Sequence, residues 1–182
     1  MALRGGVSAP GERGGEETAR RRRVHAEEIR GRAVVSVAQA EKLGAIDDLL
    51  VDVREHHVAG FLLQGGLFRG GPSVAWSDVR TIGSDAVMVD DRSAAAGPGN
   101  NPRLADLRGR KVVTDTGDLA GTLDSLEFDP ASGAITNYIV AGTGGGLFQT
   151  APRFVLPSSA VKAVGDNLIT VNGKVIDFQR AP

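Results

Sequence analysis

The chain has 182 residues, 41% hydrophobic and 24% charged, with 21 Lys and Arg against 22 Asp and Glu and no cysteine. These proportions describe a globular chain of one or two domains and exclude a disulfide framework, thiol chemistry and a global field that would collect nucleic acid or an anionic membrane. Three histidines and eight aromatics (six Phe, one Trp, one Tyr) leave little material for a metal centre or a broad base-stacking platform.

In chain order, residues 1–28 are rich in Gly, Arg and Glu and poor in large apolar side chains, so the segment is expected to be a disordered tail. It contains no apolar run of the kind a secretory signal needs, and no stretch elsewhere approaches the roughly 20 apolar residues of a membrane span, so a cytoplasmic location is expected. Arg20, Arg21, Arg22 and Arg23 form a basic cluster, but Glu12, Glu16, Glu17, Glu27 and Glu28 accompany it. A solvated mixed-charge segment is the simpler reading.

From residue 29 the chain repeats itself. Ile29-Arg30-Gly31-Arg32-Ala33-Val34-Val35 returns as Leu107-Arg108-Gly109-Arg110-Lys111-Val112-Val113, and Gly44, Ile46, Asp47, Leu49 and Asp52 return as Gly121, Leu123, Asp124, Leu126 and Asp129. Val58, Phe61, Leu62 and Leu63 match Ile135, Tyr138, Ile139 and Val140; Leu67-Phe68 matches Leu147-Phe148; and Val79, Gly83, Val87 and Val89 match Val161, Gly165, Ile169 and Val171. Two homologous modules, 29–91 and 103–176, are the simplest explanation. Within each, short Val/Ile/Leu runs separated by Gly, Pro, Asn and Asp predict strands of a small antiparallel barrel or sandwich. Brief helical turns are expected at 77–80 and 158–161, with serine side chains capping backbone donors. Between the modules, residues 92–102 read as an exposed linker, and 177–182 as a C-terminal tail. Each module is small enough to be marginal alone, which favours either a monomer with the modules packed as a pseudo-twofold pair or a homodimer.

The ordered series Asp106–Val113, Gly121–Asp129, Ile135–Val140, Phe154-Val155-Leu156-Pro157 and Val161–Val171 resembles the PRC-barrel family, and the resemblance runs through both copies. It implies an all-β protein of two small PRC-barrel-like modules in tandem, whose relatives act mostly as non-catalytic binding or assembly modules. The paired aromatics that ribosome-maturation members carry before the Asp-Leu-x-Gly stretch are replaced here by Leu104-Ala105.

Candidate sites follow. His56-His57 would point to opposite faces of a strand and is read as a polar hairpin tip, not a metal site. Gly142–Gly146 lacks the Lys-Ser/Thr ending of a phosphate loop and is read as a hairpin connection. Asp52 and Asp129 are expected to close strands through Asx-type turns. No catalytic, cofactor or metal set is recognised. Leu67, Phe68, Leu147 and Phe148 each follow a glycine run and are the candidate contacts to a protein partner. The alternative is a ribosome- or RNA-associated factor, with Arg20–Arg23, Arg30, Arg32, Arg108 and Arg110 as phosphate contacts.

Overall fold

The computed structural model describes residues 23–65, 71–90, 100–143 and 152–173, together with the backbone of 179–180. The fold is all-β, two PRC-barrel-like modules in tandem. The first comprises β2 (Ala33–Ser36), β3 (Glu41–Asp52), β4 (His57–Leu63), β5 (Ser73–Ala75), β6 (Val79–Ile82) and β7 (Ala86–Val89), in the order β5-β4-β3-β2-β7-β6. The second comprises β8 (Lys111–Thr114), β9 (Leu119–Phe128), β10 (Ile135–Gly142), β11 (Arg153–Pro157), β12 (Val161–Val164) and β13 (Leu168–Val171), in the equivalent order β11-β10-β9-β8-β13-β12. Two short strands, β1 (Val24–His25) and β14 (Gln179–Arg180), and two one-turn helices, α1 (Ala26–Ile29) and α2 (Leu104–Leu107), complete the described elements. Among the described residues no helix is long and apolar enough to cross a membrane.

In each module the long strand serves two partners. The first half of β3 pairs with β2 and its second half with β4; in β9 the start, 119–122, pairs with β8 and 121–128 pair with β10. The sheet thereby folds over its own apolar face. The expectation of purely antiparallel pairing fails at one place per module, since β2–β7 and β8–β13 are parallel. The cause is the hairpin formed by the last two strands, whose second member comes back beside the first strand in the same direction.

The repeated Arg-Gly-Arg now has a physical account. Ile29 and Leu107 end the two helices, and Gly31 and Gly109 follow in the left-handed region at φ +78° and +79°. A side chain resists that conformation and glycine does not. Each glycine N–H donates to the opposing long strand, Gly31 to Ile46 O and Gly109 to Leu123 O, both at 2.8 Å. The second arginine of each motif then satisfies two carbonyls, one four residues back in the helix and one more than fifty residues ahead. Arg32 donates to Gly83 O and Glu28 O, and Arg110 to Gly165 O and Asp106 O. The guanidinium thus ties the end of the helix to the turn of the closing hairpin, an arrangement repeated in both modules.

Two boundaries move. Residues 24–28, assigned to a tail from composition, form β1 and most of α1, because Ala26 and Ile29 are fully buried despite the charges around them. Residues 179–180, assigned to a C-terminal tail, pair antiparallel with Phe154 and Val155 of β11. The short helical turns lie at Trp76–Asp78 and Ser158–Ala160 as 3-10 turns, but neither has a side-chain cap. In the first, Ser77 Oγ donates to its neighbour Asp78 instead.

Candidate functional site

The most informative region is the seam between the modules, where the contacts obey the 77–78-residue offset of the repeat. At its centre His57 bridges Ala134, its own counterpart at an offset of 77. On either side Val58 N–H donates to Gly133 O and Ile135 N–H donates to His56 O, both at 2.8 Å, a reciprocal pair of equivalent bonds. That reciprocity is what a pseudo-twofold axis through the bridge produces.

Further from the axis the lead-in of each module lies on the other. Val24 and His25 of β1 pair with Phe128 and Glu127 of β9, while Arg103 bridges Leu50 and Val51 N–H donates to Pro102 O. The helices repeat the exchange. Ala105 N–H of α2 donates to Asp48 Oδ2 at 3.1 Å, and at the equivalent place Ser125 Oγ donates to Glu27 Oε2 of α1 at 2.5 Å. Asp48 is 3% exposed and its other oxygen accepts Leu49 N–H, so the buried carboxylate is satisfied at both ends. One contiguous apolar cluster runs through both modules, from Ile29, Leu49 and Phe61 to Leu107, Leu126 and Phe128.

Two recesses open along this seam. The larger, about 890 Å³, is lined by Asp52, Arg54 and His56 from the β3–β4 turn, Asn101 and Pro102 from the lead-in, and Arg110, Lys162 and Asp166 from the second module. Its charges are mixed, and Lys162 is already paired with Asp115 at 2.6 Å. The smaller, about 450 Å³, is lined by Ile139 and Val155 and by side chains already paired with one another: Glu27 with Arg108, Asp124 with Arg153, and Glu127 with the His25 imidazole at 3.1 Å. Asn137 Nδ2 holds the second oxygen of Glu127 at 2.6 Å.

The turn carboxylates behave as the sequence implies. Asp52 Oδ1 accepts Arg54 N–H and Glu55 N–H, and Asp129 accepts Ala131 N–H and Ser132 Oγ–H. The two histidines do diverge, and both reach across the seam. His56 Nδ1 meets the Tyr138 hydroxyl at 2.8 Å, and His57 Nε2 meets Ser132 O at 2.7 Å. His57 also packs edge-on against Trp76, which in turn packs edge-on against Phe128. Burial pushes the His56 imidazole below its ordinary value, opposed by Asp52 and Glu55, and burial pushes the Tyr138 phenol far up.

The family model of the PRC-barrel domain matches residues 22–95 and again 101–175. The chain belongs to the PRC-barrel family. No curated protein matches it. Both matched ranges begin before the strands of their module, which agrees with β1–α1 and Pro102–α2 being integral to the PRC-barrel pair.

The candidate contacts divide. Leu67, Phe68, Leu147, Phe148 and Arg20–Arg22 lie outside the described residues, and Arg23 is exposed at the start of β1. The PRC-barrel structure gives the other arginines internal work: Arg30 donates to Asp47 O, Arg32 and Arg110 tie helix to hairpin, and Arg108 pairs with Glu27. Their bonds are spread over both modules. Sequence reasoning missed the exchanged lead-ins and the partnership of Asp48 with Ala105. The usable signal was the apolar pair Ala26 and Ile29, three residues apart like Leu104 and Leu107.

Proposed function

We propose that this PRC-barrel protein is a non-catalytic cytoplasmic adaptor that holds a protein partner through two equivalent loops. The observation that carries the reading is positional. The β4–β5 and β10–β11 connections join equivalent strands in the order of the two modules, and the sequence of each holds a glycine run followed by Leu-Phe, at 67–68 and 147–148. A fused core gives such a pair of loops one rigid support, so that both engage a partner without the entropy loss of ordering two separate domains. The ribosome or RNA alternative is weakened by the internal bonds of Arg30, Arg32, Arg108 and Arg110, since a guanidinium holding a carbonyl or carboxylate has fewer donors left for phosphate.

The test replaces Leu67, Phe68, Leu147 and Phe148 together by serine and compares affinity capture with the melting temperature. Loss of the captured partner at unchanged melting temperature is expected. Loss of the fold would assign these side chains to the core and overturn the reading. Ribosome co-sedimentation that survives moderate salt would favour the alternative instead.

A further inference from the structure

Beside the axis of the seam stands a titratable pair that has no symmetric counterpart. His56 and Tyr138 meet there, while their counterparts across the axis, Gly133 and Phe61, have nothing to titrate. His56 sits at the β3–β4 turn with φ +48°. Its backbone carbonyl accepts Ile135 N–H, so ring and main chain hold the same neighbouring module.

The hydroxyl chemistry decides which protonation state closes the seam. Tyr138 is 2% exposed, and among the described residues His56 Nδ1 is the acceptor within reach of its hydroxyl. A neutral imidazole with its proton on Nε2 leaves Nδ1 free to accept that hydrogen. A protonated imidazole has N–H on both nitrogens, so Nδ1 becomes a donor and the buried Tyr138 hydroxyl hydrogen loses its acceptor. His57 differs, because its Nε2–H donates to Ser132 O in either charge state. The charged groups around His56 are Asp52, Arg54 and Glu55 on its own turn, and Arg110, Lys162 and Asp166 on the facing wall of the recess. Of these, Asp52 and Glu55 favour the imidazolium, and burial outweighs them.

We propose that the seam is a pH-responsive latch, closed while His56 accepts the Tyr138 hydroxyl and loosened when mild acid protonates His56. The sign follows from the neutral form being favoured in the closed state. The stabilisation is complete above the ordinary histidine value of about 6.5 and is lost as pH falls through the lower value of the closed protein. Loosening would act on the arm around His56, Ile135 and Tyr138 and would free Trp76 from its edge contact with Phe128 across the seam.

Trp76 is the single tryptophan of the chain, so its emission in the full-length protein reports this contact directly. Titration from pH 8 to pH 5 is expected to shift the emission with a midpoint below 6.5, at unchanged far-UV circular dichroism. His56→Asn, which tolerates the left-handed turn but does not titrate, is expected to abolish the transition. Tyr138→Phe, which removes the hydroxyl that donates to the neutral ring but leaves the burial, is expected to raise the His56 midpoint while keeping it below 6.5, read by NMR of the imidazole. An emission change that persists in His56→Asn would assign the effect to another seam histidine, His57 or His25, and overturn the latch. So would a flat wild-type titration, or a wild-type His56 resonance that titrates at its ordinary value.

Discussion

Gly133→Ala probes the seam against an internal control. Gly133 and Gly31 share the same φ of +78°, so an added methyl suffers the same left-handed penalty at both, roughly 1–2 kcal/mol. Their surroundings differ completely. A Cβ on Gly31 meets nothing within 4 Å, whereas on Gly133 it lies 2.5 Å from Trp76 Cε2 and 2.7 Å from His57 Nε2, both across the seam. Such overpacking of stiff rings adds about 1–3 kcal/mol. Gly31→Ala is therefore expected to cost about 1–2 kcal/mol and Gly133→Ala about 2–5 kcal/mol. At about 2–4 °C per kcal/mol for a chain of this size, thermal unfolding followed by circular dichroism resolves the two. Equal losses would mean that Trp76 and His57 do not press on the 129–134 turn, and the closed seam would be refuted.

Other expectations follow from the same contacts. Asp48→Ala strips an acceptor from the Leu49 and Ala105 amides and should cost about 1–3 kcal/mol in denaturant titration. Arg32→Ala and Arg110→Ala should each lower stability by about 0.5–1.5 kcal/mol, whereas purely phosphate-binding arginines would leave the midpoint unchanged. Deleting residues 1–22 should leave the melting temperature within a degree or two, while deleting 1–29 removes the fully buried Ile29 and should cost at least the roughly 2–5 kcal/mol of emptying such a site.

Much of the strand framework is legible because turn chemistry and repetition are local. Asp52 and Asp129 mark the same turn in both copies, and each is followed by the start of the next strand. What composition hides is long-range. Val24 and His25 are surrounded in sequence by arginines and glutamates, and the strand they form pairs with Phe128 and Glu127, over a hundred residues away. The same holds for β3, where Asp48, Leu49, Leu50 and Val51 are all buried in succession. Strand alternation predicts one wet face there, but the exchanged α2 lead-in covers it. The arginines of Arg-Gly-Arg were equally opaque, because a basic repeat looks the same whether it faces phosphate or a carbonyl of its own chain. Only the positions of Gly83 and Gly165 decide it.

The central claim is that the two modules form one reciprocal unit joined at the His57–Ala134 bridge, and amide hydrogen exchange of Val58 and Ile135 tests it most directly. Both amides donate across the seam, to Gly133 O and His56 O. If the modules are one cooperative unit, these two amides exchange only through global unfolding and share the protection of core amides such as Leu126. Exchange of Val58 and Ile135 at the rate of the exposed turns, with Leu126 still protected, would show two modules that open independently and would contradict the account.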